Sequence, residues 1–411
     1  MKMDFHKAKV SSKPVKPFLL LKISLKVLRW MGTWAPRQKG ISHYFFYAHT
    51  ICIFVFMLGI FFFVEIIAIV MNLDNLEKIA SSAPLFLTNI AHAYKFFTIN
   101  RNRRKIQDLL SIIESPTFSN YNSRYERIIM WYTWQNIFHN GIYQILGIMT
   151  VLFWAAIPVT ALLDGNELQL PLDGWYPFNT KKLIPFMLTW SHQTVAIIMC
   201  CINNLAIDAL ISSLLNVASC QFEILKWNIA KIGDIEEQNF LVSSNKKEDK
   251  LCHNKNINEE LRYCIKHNLA IFNFIKEVEK IFSSAIGLQL FVNCFVTCLS
   301  TFYITQLTIF IPGEIIGTSA YIFCMTYQSF IYCINGNELF LQNDNLSMAV
   351  YMGNWWKLKP RYKRILQIVM LRTRRPLILM TPFLLKLSLS TFVSVIQTSY
   401  SIFTLLYRKH V

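Results

Sequence analysis

The stretch Phe45–Met71 is apolar along its length except at His49, Thr50 and Glu65, a run suited to crossing a bilayer. A helical span needs about 20 such residues, and six further segments approach that length. Ala83–Ile99 is the weakest and carries Asn89, His92 and Lys95; Ile142–Leu163 is the third. A fourth starts near Leu183, and its helical pattern persists to about Ile229. The fifth covers Ile281–Ile311, the sixth Glu314–Ile334 and the last Phe383–Tyr407, with Pro312-Gly313 as a tight turn between five and six. Charged residues make up 16% of the chain, well under the roughly 25% of soluble domains. The sequence thus predicts an all-α membrane protein with seven transmembrane helices.

The fourth segment is too long for a bilayer. Its ~45 residues at ~1.5 Å each reach about 70 Å, against about 30 Å of hydrocarbon. Similar extensions, Leu261–Lys280 and Tyr362–Leu379, precede spans five and seven on the same side. They are expected to form a cytosolic helical anchor bundle suited to subunit assembly. Orientation follows from the basic residues, of which 35 of 41 fall in the N-terminal tail and the 95–130, 221–280 and 335–375 gaps. The opposite side holds 5. This bias places the N-terminus in the cytosol and the C-terminus outside. Residues 1–17 are basic and polar, and no small-residue cleavage site follows a short apolar core, so no cleavable signal is expected.

Several function classes drop out. The basic excess, 41 Lys plus Arg against 24 Asp plus Glu, lies between apolar runs rather than on a soluble module, so nucleic acid is not an expected partner. A G-protein-coupled receptor would carry its N-terminus outside, and this chain has neither an acidic-Arg-Tyr triplet after span three nor Asn-Pro-x-x-Tyr in span seven. All ten cysteines fall in spans or on the cytosolic side, leaving no external disulfide partners. Cys252-His253 with Cys264 and His267 lacks zinc-finger spacing, so no metal is expected. No hydrolytic or phosphate-binding motif argues for an enzyme or a cofactor. A secondary transporter would show internal repeats, and none is visible.

Individual residues carry two physical arguments. In the last span Ser390, Ser394, Gln397, Ser401 and Thr404 step by four, three, four and three, forming one polar seam on an apolar helix. Such a seam suits a pore wall, and equally a contact where small residues let helix backbones approach. Ionisable groups within spans are functional candidates. Glu65 reads as solvated near the external interface, Lys95 as snorkelling to the inner one, and Asp208 as exposed or paired with an arginine of the 361–375 segment.

A family resemblance runs along nearly the whole chain. Trp30-Met31-Gly32-Thr33-Trp34-Ala35-Pro36 resembles the Gly-x-Trp-Pro segment of insect odorant receptors, with Ala35 inserted. The second external loop, Leu170-Pro171 through Trp175-Tyr176-Pro177, is similar to the family's Leu-Pro…Trp-Tyr-Pro pattern. Leu261, Cys264, Ile265 and His267 match its motif before span five. Gln328, Phe330, Tyr332, Cys333, Gly336 and Asn337 match the end of span six, followed by Tyr351 and Trp355. Most specific is the C-terminus, from Leu387-Ser388-Leu389-Ser390-Thr391-Phe392 to Thr398-Ser399-Tyr400-Ser401-Ile402-Phe403-Thr404-Leu405-Leu406.

The resemblance implies the odorant-binding subunit of a heteromeric, ligand-gated, non-selective cation channel. Its implied partners are a co-receptor, in a heterotetramer, and a small volatile hydrophobic odorant; its implied place is the plasma membrane of a sensory-neuron dendrite. A gustatory-type or metabotropic chemoreceptor is the alternative. On this reading residues 1–44 are a cytosolic N-terminal segment and 45–229 hold helices one to four with the outer ligand pocket. Residues 230–280 form a cytosolic loop and helical extension, and 281–334 form helices five and six. Residues 335–382 form a cytosolic loop and anchor helix, and 383–411 the pore-lining seventh helix with a short external tail. The pocket is expected from the outer halves of the spans: Leu87 and Thr88; Met149, Phe153, Trp154 and Ile157; Met187, Trp190 and Thr194; Tyr321, Ile322 and Met325. Aromatics and methionines with few hydroxyls suit a ligand held by burial and dispersion. The pore is expected along Ser394, Gln397, Ser401 and Thr404, with Ile402 and Leu405 near a hydrophobic constriction and Leu405 as the gate.

Overall fold

The computed structural model describes residues 19–34, 41–72, 74, 76–119, 125–163, 170–172, 174–178, 180, 182–242, 248–306, 312–373, 377–382 and 385–410. Among these residues the chain is helical, with one isolated antiparallel bridge between Met380 and Lys386. The first span is built from α2 (Ile41–Phe54), a π-helical turn (Val55–Ile60) and α3 (Phe61–Met71). The next six are α4 (Leu76–Arg101), α7 (Glu126–Leu163), α8 (Leu183–Val242), α9 (Glu248–Gln306), α10 (Pro312–Met352) and α12 (Leu389–His410). Shorter helices α1 (Leu19–Trp30), α5 (Arg103–Ile113), α6 (Pro116–Ser119) and α11 (Pro360–Thr373) pack around one end. Among the described residues, segments within α7, α8, α9 and α12 are long and apolar enough to cross a membrane by themselves.

Helix α8 organises the bundle. Its 60 residues extend about 90 Å, far beyond a bilayer, and every residue from Asn203 to Cys220 is buried. A helix buried on all sides needs partners all round. At one end these are supplied by α9, α10 and α1, with α5 and α11 packed on the same core, which includes Leu28, Ile211, Leu214, Phe222, Phe274 and Leu346. This is the expected anchor bundle. A second, separate core of Tyr143, Trp154, Val296, Tyr321 and Met325 lies toward the other end.

Small polar residues inside α8 are tied to α7 rather than left bare: Asn136 Nδ2 donates to Ser213 Oγ at 3.0 Å, and Ser212 Oγ to Asn140 Oδ1 at 3.0 Å. Gly32 explains part of the N-terminal motif. Its φ of 73° lies in the left-handed region, and a Cβ there would sit 3.0 Å from Thr50 Oγ1. Thr50 Oγ1 in turn donates to Gly32 O at 2.9 Å, fixing α1 beside the first span.

Several boundaries differ from the sequence expectation. Spans three and six continue well past the apolar runs, from Glu126 and to Met352, because the end of α10 packs in the anchor core and the start of α7, through Ile129 and Tyr132, packs against Cys220 and Ile224 of α8. The fifth helix ends at Gln306, and the following residues to 311 lie outside those described; Pro312 opens α10, where its missing N–H costs nothing. The last helix begins at Leu389; Phe383, where the sequence reading started the span, lies outside the described residues. A small hairpin precedes it, with Thr381 N donating to Leu385 O and Leu387 N to Leu379 O, each at 3.0 Å. Residues 1–17, 243–247, Ala35, Pro36 and Asp173 of the sequence reading also lie outside the described residues. His267 Nε2 meets Gln221 Oε1 at 2.9 Å, and the ring packs edge-on against Phe118.

Candidate ligand-binding site

Within the second core is a cavity of about 60 Å³, several times the ~10–15 Å³ that admits one water. Five helices wall it. Phe61 comes from α3; Leu85, Thr88, Asn89 and His92 from α4; Tyr143, Gly147, Thr150, Val151 and Trp154 from α7. Helix α8 adds Ile197, Cys200, Cys201, Asn204 and Leu205, and α10 adds Tyr321, Cys324 and Met325. Helical period explains the grouping, since each set recurs every three or four residues on one face.

Most of the lining hydroxyls are occupied. Thr88 Oγ1 and the Tyr321 phenol lie 2.5 Å apart and each is within reach of Pro84 O, at 3.0 and 3.1 Å, so that one hydroxyl donates to the other and the second donates to that carbonyl. Thr150 Oγ1 bonds Leu146 O at 2.9 Å. Trp154 tilts over the Tyr321 ring with centroids 5.1 Å apart, forming an aromatic wall. Gly317 makes room for it: a Cβ at that position would lie 2.7 Å from Trp154 Cδ1.

The inner end of the cavity borders a buried ionic cluster. Lys95 and Asp208, both almost fully buried, pair at 2.6 Å, and Lys95 also donates to Asn204 Oδ1 at 2.9 Å. Asp208 accepts further from Tyr143 at 2.8 Å, Tyr332 at 2.5 Å and Gln328. One carboxylate thereby joins α4, α7, α8 and α10. This corrects the reading of Lys95 as snorkelling and of Asp208 as partnered by an arginine. The two residues come from helices whose relation no sequence pattern states, and mutual neutralisation removes the cost of burying either alone. Glu65 is likewise buried, at 4% exposure, where interfacial solvation was expected; Asn89 Nδ2 donates to it at 3.0 Å.

The structure distributes the expected pocket residues unevenly. Thr88, Trp154, Tyr321 and Met325 line the cavity. Ile157 belongs to the same core and Leu87 packs against it. Phe153 lies beside Gly317, and Trp190 Nε1 donates to Ala155 O at 3.1 Å, tying α8 to α7. Thr194 and Ile322 are half-buried away from the cavity, whereas Met149 and Met187 are exposed on the outside of the bundle. The residues that sequence reasoning missed lie one turn further in. His92 follows Thr88 by four, Thr150 and Gly147 precede Trp154 by four and seven, and Cys324 follows Tyr321 by three. Extending the helical period from the named residues was the available signal.

Helix α12 stands apart. Its membrane-length segment is 6% buried, against 67% for the segment of α8. One side docks: Ser399 Oγ donates to Cys294 O at 3.1 Å, and Phe392 meets Phe330 with centroids 5.5 Å apart. The rest is bare, with Ser390, Ser394, Gln397, Ser401 and Leu405 exposed and Ile402 and Thr404 half-buried. The hydroxyls of Ser394, Ser401 and Thr404 donate to their own helix backbone, at 3.0, 2.9 and 2.9 Å.

Fold and cavity define a class, that of all-helical, multi-span membrane proteins with a small, largely apolar site among the helices. Comparison with known proteins then places the chain within it. The model of the 7tm Odorant receptor family matches residues 75–400. Odorant receptor Or1 of Anopheles gambiae is 23% identical over 400 residues, covering 92% of this chain and 93% of that protein. Odorant receptor 46a, isoform A, of Drosophila melanogaster is 25% identical over 375 residues, covering 90% and 92%. The solved structure of the insect olfactory receptor OR5 from Machilis hrabei in complex with eugenol shares the fold. Its TM-score is 0.79 at 17% identity, over 94% of this chain and 97% of that one. The chain belongs to the odorant receptor family, with its seven-transmembrane helical fold. It is a membrane-embedded, odorant-sensing receptor and not an enzyme.

Proposed function

We propose that the chain is the odorant-binding subunit of a heteromeric, ligand-gated, non-selective cation channel, assembled with a co-receptor in the plasma membrane of a sensory-neuron dendrite. The observation that carries this reading is α12. A membrane-length helix that is 6% buried and presents serines and a glutamine on its bare face is poorly matched to lipid alone. Neighbouring subunits around a water-filled axis would cover that face and hydrate its seam. In that arrangement Ser394, Gln397, Ser401 and Thr404 line the pore and Leu405 and Ile402 form its constriction.

The cavity is the proposed odorant site, with Thr88, Trp154, Tyr321 and Met325 in direct contact. The other pocket candidates, Leu87, Met149, Phe153, Ile157, Met187, Trp190, Thr194 and Ile322, act on it from behind or from the outer surface. Helix α10 connects the two regions. Its Tyr321, Cys324 and Met325 line the cavity, while Phe330 meets Phe392 of α12 and Gly336 abuts the hairpin that leads into α12, where a Cβ on Gly336 would lie 2.5 Å from Leu387 Cβ. An odorant that favours one position of α10 would therefore bias α12.

The test is expression in voltage-clamped cells, with and without an odorant-receptor co-receptor and with G-protein signalling blocked. The expected result is an odorant-evoked cation current that requires the co-receptor. A response abolished by the block would instead establish metabotropic signalling.

A further inference from the structure

Two amides in the cavity wall each have one end held and the other open. Asn89 Nδ2 donates to Glu65 Oε2 at 3.0 Å, and Asn204 Oδ1 accepts from Lys95 Nζ at 2.9 Å. The opposite ends, Asn89 Oδ1 and Asn204 Nδ2, have no hydrogen-bond partner among the described residues. Nor are they sealed in, unlike His92 Nδ1 and Gln193 Oε1, which are unpaired and have no accessible surface. Both asparagines line the cavity, so a molecule that fills it meets one open acceptor and one open donor. The neighbouring hydroxyls donate within the protein, Thr150 to Leu146 O, Tyr143 to Asp208, and the Thr88–Tyr321 pair to Pro84 O.

The held ends decide which ends are open. An ammonium can only donate, so Lys95 keeps the Asn204 oxygen and leaves its N–H free; the Glu65 carboxyl accepts the Asn89 nitrogen and leaves that oxygen free. Hydrogen bonds in series polarise one another, which strengthens both open ends. Helix register brings the two close. His92 meets Asn203 across 111 residues of sequence and Lys95 meets Asp208 across 113, so α4 and α8 run the same way. On those offsets Asn204 lies level with Ala91 to Ala93, two to four residues beyond Asn89. At ~1.5 Å per residue this is ~3–6 Å along the axis, and one hydroxyl oxygen bonded on both sides holds its partners ~5–6 Å apart. We propose that the cavity selects small volatile alcohols, whose hydroxyl donates to Asn89 Oδ1 and accepts from Asn204 Nδ2 while the hydrocarbon body lies against Phe61, Val151, Trp154 and Ile197. A ketone leaves the Asn89 oxygen bare, and a hydrocarbon leaves both amides bare. The proposal rests on the reading of this cavity as the odorant site.

Pentan-2-ol, pentan-2-one and pentane provide matched probes for the purified full-length chain in lipid nanodiscs, with empty nanodiscs as the control. Each affinity is referred to the probe's partition from water into hexane, and on that scale the wild-type protein is expected to favour the alcohol. Asn204→Leu is expected to weaken pentan-2-ol and pentan-2-one alike, about tenfold relative to pentane. Asn89→Leu is expected to weaken pentan-2-ol by a similar factor and to spare pentan-2-one. Glu65→Gln, whose amide can meet Asn89 with either end, frees that side chain to turn and is expected to narrow the alcohol's advantage over the ketone. Equal wild-type affinity for alcohol and ketone overturns the proposal and leaves the site itself standing. An Asn89→Leu loss shared by the ketone also overturns it, since that residue would then not be acting as an acceptor. Absence of saturable binding by all three probes to folded wild-type protein would remove the odorant site and this inference together.

Discussion

At the scale of single residues, the Lys95–Asp208 pair shows what a sequence withholds. Both were visible as charges within apolar helices, hence as candidates for function. Their pairing was not, because they lie on α4 and α8 and meet only through the tertiary arrangement. Removing one partner leaves an uncompensated buried charge, at about 3–5 kcal/mol. Lys95→Met is therefore expected to lower the yield of folded receptor sharply in size-exclusion profiles of detergent extracts. Lys95→Met combined with Asp208→Asn should recover much of it, because no net charge is then left inside. Gly317 makes a subtler prediction. Any Cβ there collides with Trp154, so Gly317→Ala should push the indole toward the cavity and raise the half-maximal odorant concentration about tenfold. Trp154 was legible as a pocket residue from its place in the outer half of a span. The glycine that seats it was not, since nothing in its own neighbourhood of sequence refers to α7.

At the scale of helices, legibility followed periodicity. The polar seam of α12 was readable because steps of three and four residues define a face without reference to any neighbour. Its start was misplaced because Leu385 and Leu387, apolar and helix-like in sequence, belong to the hairpin that closes against Leu379 and Thr381. The seam gives a direct test. With cysteine at position 394, 397 or 401, a water-soluble methanethiosulfonate reagent is expected to reduce odorant-evoked current. With cysteine at 399, whose hydroxyl bonds Cys294 O in the wild type, the reagent should have little effect. Uniform insensitivity at the first three positions would place the pore elsewhere. Leu405→Ala, which shortens an exposed apolar side chain near the end of α12, should raise the current in the absence of odorant if that position is the constriction.

At the scale of the whole molecule, the number and order of spans were written in the alternation of apolar runs with basic gaps. The basic gaps also predict an orientation, and epitope tags at the two ends provide its test: in unpermeabilised cells the C-terminal tag should stain and the N-terminal tag should not. What could not be read was how far the helices run beyond the membrane. Span length is set by lipid, but the ends of α8, α9 and α10 are set by one another, through a core that hydropathy alone cannot distinguish from bilayer. That core and the one around the cavity share no buried residue. The separation has a hereditary consequence. Substitutions that reshape the chamber around the cavity leave the packing of the anchor core untouched, so a lineage can diversify the one while inheriting the other unchanged.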